Sequence, residues 1–211
     1  MTHREAFLDA AGAAQSLLEH PAVAAHWSEP SACEGFTVGG LAAHLATQVL
    51  KVPDVLAGEG DGDVPKTLLG HYSSVAWVGA DLEADINVGI RDGGEALAGE
   101  GARALAEQVA DVTAKLSALL GAEPADRVVT LPWVGWSLTL DDYLTTRMME
   151  IAVHRDDLAV SVGVEVADLP EGVYGPVLDL LARLATRRHG QTAMLRALAR
   201  AERAPDRVNA L

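Results

Sequence analysis

Residues 139–161, TLDDYLTTRMMEIAVHRDDLAVS, carry the strongest folding signal in this chain. Thr139 followed by Asp142 is a helix-start pattern close to a capping box, and apolar residues then recur every three or four positions. Gly163 supplies a stop signal just after the pattern ends. The segment therefore predicts one long helix that must bury an apolar face, and this helix constrains the fold more than any other stretch.

One side of this predicted helix carries a row of ionisable side chains. Arg147, Glu150, His154 and Asp157 are spaced three and four residues apart, so on a helix they lie along a single line. Glu and His four residues apart suit a metal ion, but the same spacing is common on solvated helix faces. Here apolar residues surround the row, and a buried carboxylate and imidazole need a partner. The sequence thus raises the question of a third ligand.

The charge balance argues against nucleic acid as a partner. The 211 residues are 49% hydrophobic, enough for a full core, and their formal net charge is −14, whereas phosphate-backbone binding needs a dense set of basic side chains. The charge is uneven, because seven basic and two acidic residues lie between Arg183 and Arg207, a local +5 that leaves −19 for residues 1–182. We expect a basic tail that lies on an acidic body; a binding arm for an acidic partner is the alternative.

The cysteine content and the lack of targeting signals indicate a cytoplasmic protein. The single cysteine, Cys33, excludes an internal disulfide and a zinc site made of thiolates alone, and it fits a reducing compartment. Residues 1–20 lack the layout of a secretion signal, and no run of about 18 apolar residues could span a bilayer, so we expect no membrane partner. Cys33 precedes a predicted helix, where it could act as a nucleophile, but we expect it to serve in packing.

Two helices are predicted in the N-terminal part of the chain. Thr2 and Glu5 make a capping box for the first helix, and Pro21 bends or ends it. Thr37 caps the second helix, which is expected to run to Gly58 with a kink at an internal proline. The acidic stretch that follows does not match an EF-hand, so it predicts a loop.

His44 lies on the core-facing side of that second helix. At about 100° per residue, Leu41 and Gln48 fall within about 80° of His44 around the helix axis. An isolated core histidine is usually a neutral imidazole bonded to a carbonyl or a hydroxyl group. A helix bundle, however, brings side chains of nonadjacent helices to the same depth. His44 is therefore a candidate partner for Glu150 and His154.

The middle of the chain predicts less regular structure, followed by one clear helix. Residues 66–94 read as patchily helical, with Trp77 and Ile86 as core anchors and a glycine pair at 93–94 that closes the region. Residues 102–122 form the most regular amphipathic pattern, and residues 128–131 suit a short extended segment.

These elements together predict an all-α fold. Four main helices of about 20 residues and one irregular crossover are typical of a helix bundle, here with a helical C-terminal extension. We expect the bundle to occupy residues 1–165, and a short, basic, mostly helical extension to occupy residues 166–211.

Two stretches carry a family resemblance: WSEPSACEGFTVGGLAAHLA at 27–46 and GWSLTLDDYLTTRMMEIAVHRDDLA at 135–159. They resemble the mycothiol-dependent maleylpyruvate isomerase family, within the DinB-like superfamily of metal-binding four-helix bundles. The resemblance covers about residues 1–165, and the tail is similar to that of short actinobacterial members. Phe36 stands where the family usually has tryptophan. The fold implied by the resemblance is a DinB-like four-helix bundle with a short helical C-terminal extension.

The same resemblance implies a metal site and a thiol cosubstrate. It implies that His44, Glu150 and His154 bind one divalent metal, usually zinc, and that mycothiol is the thiol. Two imidazoles and one carboxylate leave a fourth position open on zinc, as in catalytic sites. A low-molecular-weight thiol held there as a metal-bound thiolate would attack an electrophilic small molecule. Isomerisation and S-transfer both fit this chemistry.

Two further residues of the polar row are candidates for supporting roles. Arg147 could clamp a substrate carboxylate, and Asp157 could orient a ligating imidazole. Alternatively, both form ion pairs on the helix face, for example with Asp142 or Asp156. The remaining histidines considered lack a helical partner at ligand spacing, so we expect structural or surface roles for His20, His26, His71 and His189.

Two interpretations compete with an enzyme. In one, the chain is a metal-binding or stress-response bundle protein without turnover, which docks a partner through its basic tail. In the other, the bundle is purely structural and encloses a satisfied His–Glu pair. Metal content and thiol binding distinguish the three.

Overall fold

The computed structural model describes residues 1–58 and 64–211, and most of them lie in α-helices. The acidic stretch that the sequence predicts as a loop falls largely outside the described residues. The helices are α1 (His3–Leu18), α2 (Pro21–Ala25), α3 (Val38–Leu50), α4 (Val52–Ala57), α5 (Leu68–Tyr72), α6 (Asp85–Ala98), α7 (Ala102–Ala122), α8 (Leu140–Val162), α9 (Glu171–His189) and α10 (Gln191–Ala199). Two strands, β1 (Val128–Leu131) and β2 (Trp136–Thr139), pair as an antiparallel hairpin between α7 and α8. The fold is all-α, as predicted, and the second strand of the hairpin is an addition to the prediction.

Four long helices, α1, α3, α7 and α8, form the bundle. α1 and α3 each pack against both α7 and α8, α6 lies against α3, and α9 lies against α8 and α1. α9 and α10 make up the helical C-terminal extension. None of the described helices has the length and apolar character that a bilayer crossing requires. The largest fully buried core residues, which come from all four bundle helices and the hairpin, are Tyr143, Phe7, Leu41, Leu45, Leu105, Leu116, Leu120, Leu131, Leu138, Leu140, Leu144 and Met148.

Local signals set the ends of α1 and α8 as the sequence predicts. The Glu5 N–H donates to Oγ1 of Thr2 at 3.2 Å, and the Thr2 N–H donates to the Glu5 carboxylate at 2.7 Å, which completes the capping box. The Asp142 N–H donates to Oγ1 of Thr139 at 3.1 Å and so caps α8. Gly163 ends α8 in the left-handed region, with φ +65°, which a residue with a side chain rarely adopts.

Prolines divide both of the predicted N-terminal helices into two pieces. α1 ends at Leu18, and Pro21 starts α2; α3 ends at Leu50, and Pro53 lies in the first turn of α4. Proline has no N–H to donate, so it is tolerated in the first turn of a helix and disfavoured in the interior. The predicted kink in the second helix is therefore a break between α3 and α4.

Two predictions for the middle of the chain are wrong. α6 continues through Gly93 and Gly94 to its end at residue 98, rather than closing at the glycine pair. A Cβ added at Gly94 would lie 2.7 Å from the carbonyl oxygen of Gly40, so the glycine lets α6 approach the α3 backbone. Ile86, expected in the core, is 42% exposed.

Candidate metal centre

The helices α3 and α8 pack side by side and carry the three predicted metal ligands. His44 lies on α3, whereas Glu150 and His154 lie one turn apart on α8. Oε2 of Glu150 is 3.2 Å from Nε2 of His154 and 3.9 Å from Nε2 of His44. The two imidazole rings meet edge to face, with centroids 4.7 Å apart. The structure therefore brings all three side chains to one point.

Small residues on the sides of α3 that point away from His44 leave that helix closely surrounded. Ala42, Ala43 and Ala46 are fully buried, so neighbouring elements pack directly against the α3 backbone. Next to the ligand, the ring of Phe36 lies 5.6 Å from the ring of His44, centroid to centroid. His44 is thus held between an aromatic side chain and α8 on a helix that has little room to shift.

The spacing of the three ligand atoms fits a divalent cation. All three lie within 4.8 Å of one another, and the side chains of His44, Glu150 and His154 are 18%, 13% and 17% exposed. Two ligands held about 2.0–2.2 Å from a tetrahedral zinc ion are about 3.3–3.6 Å apart. The distances of 3.2 Å and 3.9 Å bracket that range, so small side-chain movements would complete the geometry. Two nitrogens and one oxygen leave a fourth position free for an outside ligand.

The electrostatics of the site favour a positive charge between the two helices. Burial raises the pKa of Glu150, but the contact with His154 and the nearby His44 ring outweigh burial and hold that pKa well below its usual range. Burial also lowers the pKa of His154, yet hydrogen bonds to Asp157 and Glu150 raise it to about 9. Burial lowers the pKa of His44. One positive charge is thus stabilised here, and either a proton on His154 or a metal ion can supply it.

Asp157 lies behind His154, on the opposite edge of the ring from Glu150. Its Oδ2 is 3.1 Å from Nδ1 of His154, which leaves Nε2 directed at Glu150. A carboxylate on the second nitrogen of a histidine fixes the tautomer and the ring orientation of a metal ligand. The position of Asp157 therefore supports the orienting role that the sequence suggests.

Arg147 connects α8 to α3 beside the three ligands. Its Nη1 donates to Oε1 of Gln48 at 2.5 Å, and Nε2 of Gln48 donates to the carbonyl oxygen of His44 at 2.9 Å. In the described ranges 1–58 and 64–211, no carboxylate lies within 4.0 Å of this guanidinium, so it pairs with neither Asp142 nor Asp156. Arg147 therefore carries a positive charge close to the metal ligands that no carboxylate of the described residues contacts directly.

The helix α5 places two further residues near the site, one of which, His71, the sequence assigns to a structural or surface role. His71 is buried, its Nδ1 accepts a hydrogen bond from Nε1 of Trp136 at 3.1 Å, and burial lowers its pKa to about 4. The hydroxyl of Tyr72 is buried and has no hydrogen-bond partner among the described residues, and burial together with the charge of Glu150 raises its pKa. Their distance along the chain from α8 explains why no spacing pattern pointed to them.

The other candidates from the sequence are divided between the site and the surface. His20 and His26 form local hydrogen bonds, and His189 bonds to the carbonyl oxygen of Asn209 near the end of the chain; none of the three joins a ligand group in the described part of the chain. Cys33 packs against the core, as expected, and its thiol also lies within 4.8 Å of ligand atoms of His154 and Asp157.

Comparisons with known proteins agree with this architecture. The model of a family described as the mycothiol maleylpyruvate isomerase N-terminal domain matches residues 7–159. A crystal structure of the mycothiol-dependent maleylpyruvate isomerase is similar with a TM-score of 0.53 and 18% identity, over 88% of this chain and 72% of that one. The crystal structure of a histidine-to-alanine mutant of that isomerase is similar with a TM-score of 0.55 and 17% identity, over 92% of this chain and 75% of that one. A comparison with curated proteins finds no match. At these identities the structures establish the fold alone, that of the DinB-like bundles.

Proposed function

This chain belongs to the family of the mycothiol maleylpyruvate isomerase N-terminal domain, and from that membership we propose that it is a divalent-metal enzyme that uses mycothiol or a similar small thiol. The observation that carries the proposal is the convergence of His44, Glu150 and His154 from two helices within 4.8 Å. The expected ion is zinc, because two imidazoles and one carboxylate suit it and leave an open position. We propose residues 1–165 as the metal-binding unit and residues 166–211 as its extension.

The protein side chains would prepare the site for a thiol. A bound zinc ion would lower the pKa of a coordinated thiol, so that the thiol reacts as a thiolate. Glu150 stays ionised, and a metal ion would displace the proton from Nε2 of His154 while the proton on Nδ1, facing Asp157, remains. Because the ligands lie on two packed helices, their geometry is set before a substrate arrives.

Arg147 is the proposed anchor for the second substrate, an electrophilic small molecule. Its guanidinium lies one turn before Glu150 and has no carboxylate within 4.0 Å in the described part of the chain. The bond to Gln48 holds it in place, and a planar guanidinium binds a carboxylate through two parallel hydrogen bonds. Isomerisation follows if the attacking thiol leaves again, and S-transfer follows if another group leaves.

Metal content and thiol binding test the proposal together. We expect the purified protein to bind one equivalent of zinc and the His44→Ala/His154→Ala double variant to bind none, with His20→Ala as a histidine control outside the site. Calorimetric titration with mycothiol should give heat with the zinc-loaded protein only, and the disulfide of mycothiol should give none. Equal zinc binding by the double variant, or thiol binding that ignores zinc, would refute the proposal.

A second candidate is a metal-binding, stress-response bundle protein without turnover that docks a partner through its basic tail. The observation that favours it is the exposure of Leu195 and Leu198 on α10, next to Arg196 and Arg200. The calorimetric titration separates the two candidates, since zinc binding without any thiol binding favours the docking protein.

A further inference from the structure

A second group of possible ligand atoms also includes the His154 ring. The ligand atoms of Cys33, His154 and Asp157 all lie within 4.8 Å of one another. Oδ2 of Asp157 faces Nδ1 of His154 at 3.1 Å, whereas Oε2 of Glu150 faces Nε2 at 3.2 Å. The two groups of three therefore share one imidazole, and their carboxylates, Asp157 and Glu150, approach it from opposite edges.

The thiol of Cys33 is held in place by the turn that carries it. The carbonyl oxygen of Cys33 accepts hydrogen bonds from the Phe36 N–H at 3.1 Å and from the Ser31 hydroxyl at 2.9 Å. The Ala32 N–H donates to Oγ of Ser161, near the end of α8, at 2.8 Å. The turn is thus attached to the helix that carries the other two ligands, and the half-buried thiol has a defined position beside them.

The three side chains offer a donor set of one sulfur, one nitrogen and one oxygen. Zinc accepts all three ligand types, and soft thiolate ligands favour thiophilic cations over hard ones such as magnesium. We propose that Cys33, His154 and Asp157 form a second binding position for a thiophilic divalent cation such as cadmium or zinc. Binding there releases the thiol proton of Cys33 to solvent.

The two positions are alternatives rather than a pair. A neutral imidazole has one nitrogen that accepts and one that carries the proton, so His154 serves through Nε2 or through Nδ1. When a cation is bound by Cys33, His154 and Asp157, His154 is therefore not available as a ligand in the first site with His44 and Glu150. The consequence, that a thiophilic cation switches off thiol activation, rests on the proposed function; the second position itself does not.

Cobalt(II) distinguishes the two positions, because Cys33 is the only cysteine in the chain. Metal-free, full-length protein is titrated with cobalt(II) in thiol-free buffer while absorbance is recorded. A sulfur-to-cobalt charge-transfer band reports on Cys33 alone, whereas visible d–d bands report on either position. We expect the band in wild type and in His44→Ala, and we expect Cys33→Ser to lose it while it still binds one cobalt ion.

Each result has a defined meaning for the second position. A band seen only in His44→Ala supports the position and ranks it below the first in affinity. Absence of the band from both proteins overturns the proposal. Loss of the band in His44→Ala shows that Cys33 completes the first site instead, and two cobalt ions bound to wild type exclude alternation. Cobalt spectra need no mycothiol, so failure of thiol binding leaves this test intact, and circular dichroism verifies the fold of each variant.

Discussion

Replacing Asp157 by asparagine tests whether the carboxylate behind His154 sets the affinity for the first cation. Asparagine keeps the size of the side chain and offers an oxygen to Nδ1, which is 3.1 Å from the Asp157 carboxylate, but it removes the charge. Partners of this kind are worth about 10- to 100-fold in metal affinity. The Asp157 side chain is 31% exposed, and solvent screens its charge. We therefore expect a loss of zinc affinity at the lower end of this range, about tenfold, which corresponds to about 1.4 kcal/mol of binding free energy.

The assay is zinc binding measured by competition with a chromophoric chelator at constant pH and ionic strength. Both substitutions are made in a Cys33→Ser background, so that only His44, Glu150 and His154 contribute ligands. Asp156→Asn is the matched control. Asp156 is the neighbouring residue and is exposed, so the substitution removes the same charge without touching the His154 ring. We expect the control to stay within about twofold of its parent. Equal losses in both variants would indicate a long-range charge effect, and no loss in either would refute a role for Asp157 through the ring.

Three further predictions concern stability. The pKa of His154 is raised from 6.5 to about 9 in the folded, metal-free protein, so protonated His154 contributes fully to the free energy of unfolding below pH 6.5, and this contribution is lost as pH rises through 9. Thermal denaturation in the presence of a chelator should show this fall in stability, and His154→Ala should remove most of the pH dependence. Gly12→Ala should stabilise the protein by about 0.5–1 kcal/mol in urea denaturation, since the exposed position in α1 has nothing within 4 Å of an added Cβ. Leu144→Ala should cost about 2–5 kcal/mol in the same assay because Leu144 is fully buried. Leu198→Ala, at an exposed position, should change stability by less than about 0.5 kcal/mol, and a comparable loss there would contradict the burial argument.

Local signals made much of the fold predictable from the sequence. The start of α8 at Thr139 and its end at Gly163 depend on residues within one turn, and both are as predicted. The predicted end of α6 at its glycine pair is wrong because Gly94 serves a tertiary contact. It lets α6 pack against Gly40 of α3, and no local sequence pattern indicates that contact. The second strand of the hairpin was missed for a related reason, since its register is set by pairing with β1.

In the candidate site, too, the residues related by local spacing could be predicted, and the contacts between distant parts of the chain could not. Glu150 and His154 share one helix, and helical angles placed His44 on a core-facing side, so these three could be named from spacing and resemblance. The partner of Arg147 could not, because Gln48 is 99 residues away along the chain. The place of Cys33 depends on a hydrogen bond between Ala32 and Ser161, 129 residues apart, so only the folded chain reveals it.

The contact between Gly94 and Gly40 means that the position of α6 affects the position of α3 and therefore of His44, although α6 contributes none of the three proposed ligands. A methyl group at position 94 would lie 2.7 Å from the backbone of α3, so α3 or α6 would have to move, and α3 carries His44 one turn beyond Gly40. Metal sites tolerate misplacement of about 0.5 Å before their geometry degrades. Variation at position 94 would therefore tune metal affinity while leaving the ligands themselves unchanged, which makes α6 the part of this scaffold through which metal affinity can drift or be engineered.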